Sequence, residues 1–151
     1  MDKTPSTPFP ILSPIARRWS PRASSPEGVD AVDLRALFEA ARWAPSAVNW
    51  QPWRFIAAAV DDDPHGHELL AGLLADGNRV WAAKAPVLVL ATTATEREAG
   101  APDAWAEHDL GMAVATLPEP LQARELAPRA RAHRDIIARF PHRNAALVVL
   151  G

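Results

Sequence analysis

From Val32 onward, apolar residues recur at helical spacing. Val32, Leu34, Leu37, Phe38 and Ala41 predict a helix over about Ala31–Trp43, with Asp30 and Asp33 placed as a capping pair at its start. Two later apolar runs lack that period. RFIAAAV predicts a strand over Phe55–Val60, ended by the acidic turn DDDPHG, and PVLVLATT is continuous enough for a strand buried on both faces. Between them a helix is expected over about His67–Leu74, closed by DGN, where glycine and asparagine suit a C-terminal cap; RVWAAKA can continue as a short helix. Strand, helix, strand is an α/β order. DAWAEHDLGMAVATL predicts a further helix with Trp105, His108, Leu110, Met112, Ala113 and Leu117 on its apolar stripe, and Pro118 and Pro120 break or kink the chain beyond Leu117. An arginine-rich helix over about Leu121–Phe140 and a strand in AALVVLG complete the pattern.

A chain of 151 residues suits one domain with a real core, here residues 16–151, preceded by a proline-rich arm over 1–15. Hydrophobic residues at 48% and charged residues at 23% are those of an ordinary globular protein, and nothing in them suggests wholesale disorder. The formal net charge of -2 supplies no basic face for nucleic acid. Without cysteine, disulfides, thiolate metal sites and thiol nucleophiles are excluded. Pro8, Pro10 and Pro14 interrupt any signal-like start, and no segment approaches the roughly 20 apolar residues of a membrane span, so a cytoplasmic protein is expected.

Three features carry candidate chemistry. Arg17, Arg18 and Arg22 with Ser20 suit a phosphate, since guanidinium forks donate in pairs and a hydroxyl adds a short donor; a solvated basic turn has the same composition. The five histidines complete no metal motif, and neighbouring His108 and Asp109 face different ways on a helix, which favours a structural or surface role. The loop APSAVNWQPWRF, Ala44–Phe55, holds more than turn formers: Trp50 and Trp53 go beyond what a turn requires. No GxSxG, GxGxxG or Walker loop is present, so hydrolase, Rossmann and phosphoryl-transfer chemistry lack their fingerprints.

RRWSPRA, EAARWAPSAVNWQPWRFI, GNRVWAAKAPVLVLA and HDLGMAVA occur in an order similar to that of the nitroreductase family of flavin enzymes, over about the first three quarters of the chain. The resemblance implies an α+β fold, a central, mainly antiparallel sheet flanked by helices, with FMN bound at a homodimer interface. It implies hydride transfer from NAD(P)H through the flavin to nitroaromatics, quinones or similar small-molecule acceptors. No protein residue needs to act as the catalyst, because the flavin carries the redox chemistry. Matched by position, Arg18, Ser20 and Arg22 resemble the R-x-S-x-R element that holds the FMN phosphate and the polar edge of the ring. Pro45, Ser46 and Asn49 resemble the loop that reaches the flavin from the other subunit, completed by Gln51, Pro52 and Trp53; Asn78 resembles the asparagine at the pyrimidine end.

The chain departs from the family at Ser24, where phenylalanine is usual, and at Pro118 and Pro120, which shorten the long central helix. A shortened C-terminal part is therefore expected, and with it an alternative function as a non-catalytic flavin-binding or structural remnant. HRDIIARFPHRN, His133–Asn144, also resembles a signature of a helical-repeat bacterial family, although a basic amphipathic helix produces such strings by chance.

Overall fold

The computed structural model describes residues 6–12, 15–16, 22–24, 27–97, 100–117 and 144–150. Arg17, Arg18, Ser20 and the helix expected over 121–140 lie outside the described residues, as does the tail motif apart from Asn144.

Helix α1 (Ala31–Arg42) starts where Asp30 Oδ1 accepts from the amides of Val32 and Asp33 at 2.8 and 2.7 Å. Such a cap satisfies donors that the first helical turn leaves unpaired. Strand β1 is Trp53–Ala59, two residues earlier than its apolar run predicts, and β2 is Val87–Thr93. Between them lie α2 (Pro64–Gly72) and α3 (Asp76–Ala82). Helix α4 (Ala106–Ala115) and strand β3 (Asn144–Leu150) come next.

The strands form one antiparallel sheet in the order β1-β2-β3. Trp53 faces Thr93 and Ala59 faces Val87 in the first pair; Val87 faces Leu150 and Thr93 faces Asn144 in the second. Central position explains why β2 is buried at every residue and reads as an unbroken apolar run. The family's α+β architecture with its antiparallel sheet is therefore present, and the α/β order taken from the strand-helix-strand pattern is corrected. That pattern is the same whether the second strand returns parallel or antiparallel. Here Val60 N donates to Pro86 O at 2.9 Å, so the two helices form an excursion that leaves and re-enters the sheet at the same end.

Side chains alternate across the sheet with a period of two and divide the core. Trp53, Val87, Val89 and Ala91 pack with Leu37 and Ala41 of α1 and Leu110 and Ala113 of α4. Ala58, Leu88 and Leu90 pack with Leu70 and Ala71 of α2 and Ala82 of α3. Burying a leucine or valine side chain fully is worth about 1.5–3 kcal/mol, so β2 is the main anchor of both layers.

Three local expectations are revised. DDDPHG is not only a turn: Asp63 Oδ1 accepts from Gly66 N at 2.8 Å, and Pro64 occupies the first turn of α2. His67 is buried in that helix, with Nε2 2.8 Å from Ala85 O. DGN begins α3 instead of ending α2, because Asn78 N and Arg79 N both donate to Ala75 O. In α4 the buried stripe is Ala106, Asp109, Leu110 and Ala113, while Trp105 and His108 are exposed. Among the described residues no helix is long and apolar enough to cross a membrane, and no group of three or more His, Asp or Glu could hold a metal ion.

Candidate functional site

Helix α1 ends in a small polar cluster that leads into the loop over 44–52. Glu39 Oε1 accepts from Arg42 Nη2 at 2.6 Å and from Trp43 Nε1 at 3.1 Å. These two donors, Arg42 first, hold the Glu39 carboxyl well below its usual range, at about 2. The Arg42 guanidinium also lies 5.5 Å from the centre of the exposed Trp43 ring.

The loop then turns through conformations that side chains disfavour. Val48, Asn49 and Gln51 have φ of 47°, 59° and 49°. Asparagine tolerates this left-handed region, but β-branched valine does so rarely. Each such residue costs on the order of 1–3 kcal/mol and persists only when its surroundings over-determine it. Within the loop, Asn49 N donates to Ser46 O and Trp50 N to Ala47 O, both at 3.1 Å. Ser46 Oγ accepts from Gln51 N at 3.1 Å, and Asn49 Oδ1 accepts from Gln51 Nε2 at 2.9 Å.

Outside supports complete the loop. Ala47 N donates to Asp109 Oδ2 of α4 at 2.9 Å, and Ala94 N donates to Pro52 O at 3.0 Å. The Arg97 guanidinium lies 5.5 Å from the centre of the Trp50 ring. Arg97 Nη2 in turn donates to Asp103 Oδ1 at 3.0 Å, and the same oxygen accepts from Trp105 N at 3.1 Å. Those hydrogen bonds, Arg97's first, lower the Asp103 carboxyl against the opposing effect of its desolvation.

Four of the candidate site residues, Pro45, Ser46, Asn49 and Gln51, are thus brought together in one hydrogen-bonded loop. Ser46 keeps its hydroxyl hydrogen for donation, Asn49 its Nδ2 donors and Gln51 its Oε1 acceptor. Asn78 lies elsewhere: it is half-buried on α3, in the helix layer on the opposite face of the sheet from α1 and α4. Arg22 is exposed, and Arg18 and Ser20 lie outside the described residues.

Arg97 and Asp103 are absent from the candidates drawn from sequence; Asp109 is weighed there only beside His108, as a pair facing different ways, whereas Asp109 Oδ1 lies 3.2 Å from His108 Nδ1. Asp109 had a usable signal, since it stands three residues after Ala106 and four before Ala113, on the helix face that is buried. A carboxylate on an apolar stripe needs a partner, and Ala47 is that partner. Arg97 and Asp103 left no such trace, because their meeting depends on how the 94–105 connection folds.

Comparison with known proteins agrees with this architecture. Residues 15–65 match the nitroreductase family. A Streptomyces coelicolor protein provisionally named NADH dehydrogenase/NAD(P)H nitroreductase is 40% identical over 62 residues, which is 41% of this chain and 29% of that protein's length. A crystal structure of an oxidoreductase containing FMN superposes with a TM-score of 0.80 at 28% identity, over 97% of this chain and 80% of that one. The FMN complex of a provisionally named nitroreductase from Desulfovibrio desulfuricans gives 0.69 at 27% identity, over 94% and 86%. Residues 15–65 thus resemble the nitroreductase family in sequence, and the chain shares the fold of these two FMN-containing proteins over nearly its whole length.

Proposed function

We propose that the protein is an FMN-dependent oxidoreductase that uses NAD(P)H to reduce nitroaromatic, quinone or similar small acceptors. The observation that carries this is the strained loop 46–51, which lies inside the family-matched segment and offers hydroxyl, amide N–H and amide C=O groups from one fixed backbone. A planar ring with donors and acceptors along its edge suits such a set, and rigid placement avoids the ordering cost of binding. When bound, FMN supplies two-electron chemistry between the nicotinamide donor and the acceptor.

The chain's own residues bind and orient. Ser46 and Asn49 donate to the ring edge, Gln51 adds an acceptor, and Pro45 shapes the entry to the loop. Asn78 addresses the pyrimidine end, and Arg18, Ser20 and Arg22 hold the phosphate. Asn78 and the loop belong to opposite helix layers, which supports a complete site built from two copies of the chain, one supplying each part. Exposed Trp43, Val48, Trp50 and Trp105, in and around the loop, supply apolar surface for that homodimer. Use of a nicotinamide donor fits an enzyme of the cytoplasm.

Mixing purified protein with FMN, and recording the bound spectrum with the mass in solution, tests this directly. A dimer with flavin absorbance that bleaches on anaerobic addition of NADH or NADPH is expected. Protein that takes up no FMN refutes the proposal, and bound flavin that stays oxidised with either donor supports the non-catalytic alternative instead.

A further inference from the structure

Loop 46–51 carries three left-handed non-glycine residues, and its internal hydrogen bonds do not reach the rest of the fold. Two side chains outside the family-matched segment do. Asp109 is a buried carboxylate on α4; Oδ2 takes the Ala47 amide at 2.9 Å, at the start of the strained stretch, and Oδ1 lies 3.2 Å from Nδ1 of exposed His108. Arg97 approaches the other end of that stretch, over the ring of Trp50, between left-handed Asn49 and Gln51. Its own position is set by Asp103, a buried carboxylate that also accepts from Trp105 N beside the start of α4. Both supports therefore trace back to the same helix end.

We infer that Asp109 and Arg97 are positioning residues, which clamp loop 46–51 from its two ends and thereby set the affinity for FMN. This rests on the flavin-binding role proposed for the loop. Neither side chain needs to touch the cofactor. Asp109 contributes an acceptor oxygen that holds the Ala47 amide, and Arg97 a flat cation that limits the motion of Trp50. Without them the loop relaxes toward ordinary backbone angles, and Ser46, Asn49 and Gln51 no longer present their groups together.

Four variants test the clamp: D109A, D109N, R97M and, as a control, L70A. Leu70 packs on the opposite face of the sheet, so its truncation lowers global stability and leaves the clamp in place. FMN dissociation constants are measured by quenching of flavin fluorescence at a temperature where every variant is folded. Hydrogen exchange at the Ala47 amide is followed in the FMN-free protein. We expect D109A to weaken FMN binding by about tenfold or more and R97M by about two- to fivefold. D109N keeps an acceptor oxygen and should remain within about threefold of the parent, as should L70A. Exchange at Ala47 should accelerate in D109A ahead of amides in β2.

The clamp is overturned if D109A and R97M bind FMN like the parent, if L70A weakens binding as much as D109A, or if D109N is as weak as D109A. Should the parent itself not bind FMN, the functional proposal fails and so does the link to affinity. The exchange rate of Ala47 in D109A then still decides whether the clamp exists.

Discussion

At the Ala59–Val87 end of the β1–β2 pair, the connections are mostly local. Asp63 caps the first turn of α2, Pro64 stands where a missing N–H costs nothing, and Val60 closes the excursion on Pro86. At the Trp53–Thr93 end, loop 44–52 holds Val48, Asn49 and Gln51 in left-handed backbone. Its supports come from far along the chain, with Asp109 standing 62 residues beyond Ala47. An end that only returns the chain to the sheet can be built from sequence neighbours. An end that presents several polar groups in a strained arrangement needs a folded scaffold behind it.

The largest perturbation acts on the strand both ends share. Leu88→Ala should cost about 2–5 kcal/mol in denaturant unfolding, because Leu88 is fully buried in the α2–α3 layer. Asp63→Ala should cost about 1 kcal/mol through the lost cap and leave FMN affinity unchanged. A drop in affinity as large as that of a loop variant would show that the two ends are not independent.

Val48→Gly probes the strained end. Relief of a left-handed valine is worth about 1–2 kcal/mol, and the greater freedom of glycine in the unfolded chain offsets about 0.4–1 kcal/mol. A gain between nothing and about 1.6 kcal/mol in stability is therefore expected, with weaker FMN binding; a clear loss of stability would mean that exposed Val48 makes contacts the folded monomer does not contain. The smallest effect is acid sensitivity. The folded Asp103 carboxyl lies below its ordinary value, chiefly through Arg97, so its stabilising contribution is present above about pH 4 and is lost as pH falls through the folded value. Asp103→Asn should flatten that part of the acid unfolding profile, recorded by tryptophan fluorescence, and an unchanged profile would remove Asp103 from the support of Arg97.

The elements were largely legible in the chain. Helix α1, both ends of which are set by Asp30 and the 3.6-residue apolar period, was expected within one residue, and the apolar runs of β2 and β3 were recognised as strands. Boundaries failed where one residue suits two roles. Gly77 and Asn78 can end a helix or sit in its first turn, and only the bonds to Ala75 O decide between them. The stripe of α4 is legible in part: Leu110 and Ala113 are buried as expected, but bulky Trp105 and His108 are exposed, and Ala106 and charged Asp109 take the buried positions instead. Candidate site residues in loop 44–52 were named through a family resemblance. Spacing alone left their purpose open.

Local chemistry, then, dictated that this chain forms capped amphipathic helices and a buried strand, since caps and periodicities act over a few residues. The sense of β2 beside β1, the burial of Asp109 and the left-handed backbone of Val48, Asn49 and Gln51 belong to the tertiary structure. Each involves contacts between segments that the chain keeps far apart, and the bond from Ala47 to distant Asp109 joins the loop's own hydrogen bonds around its strained backbone.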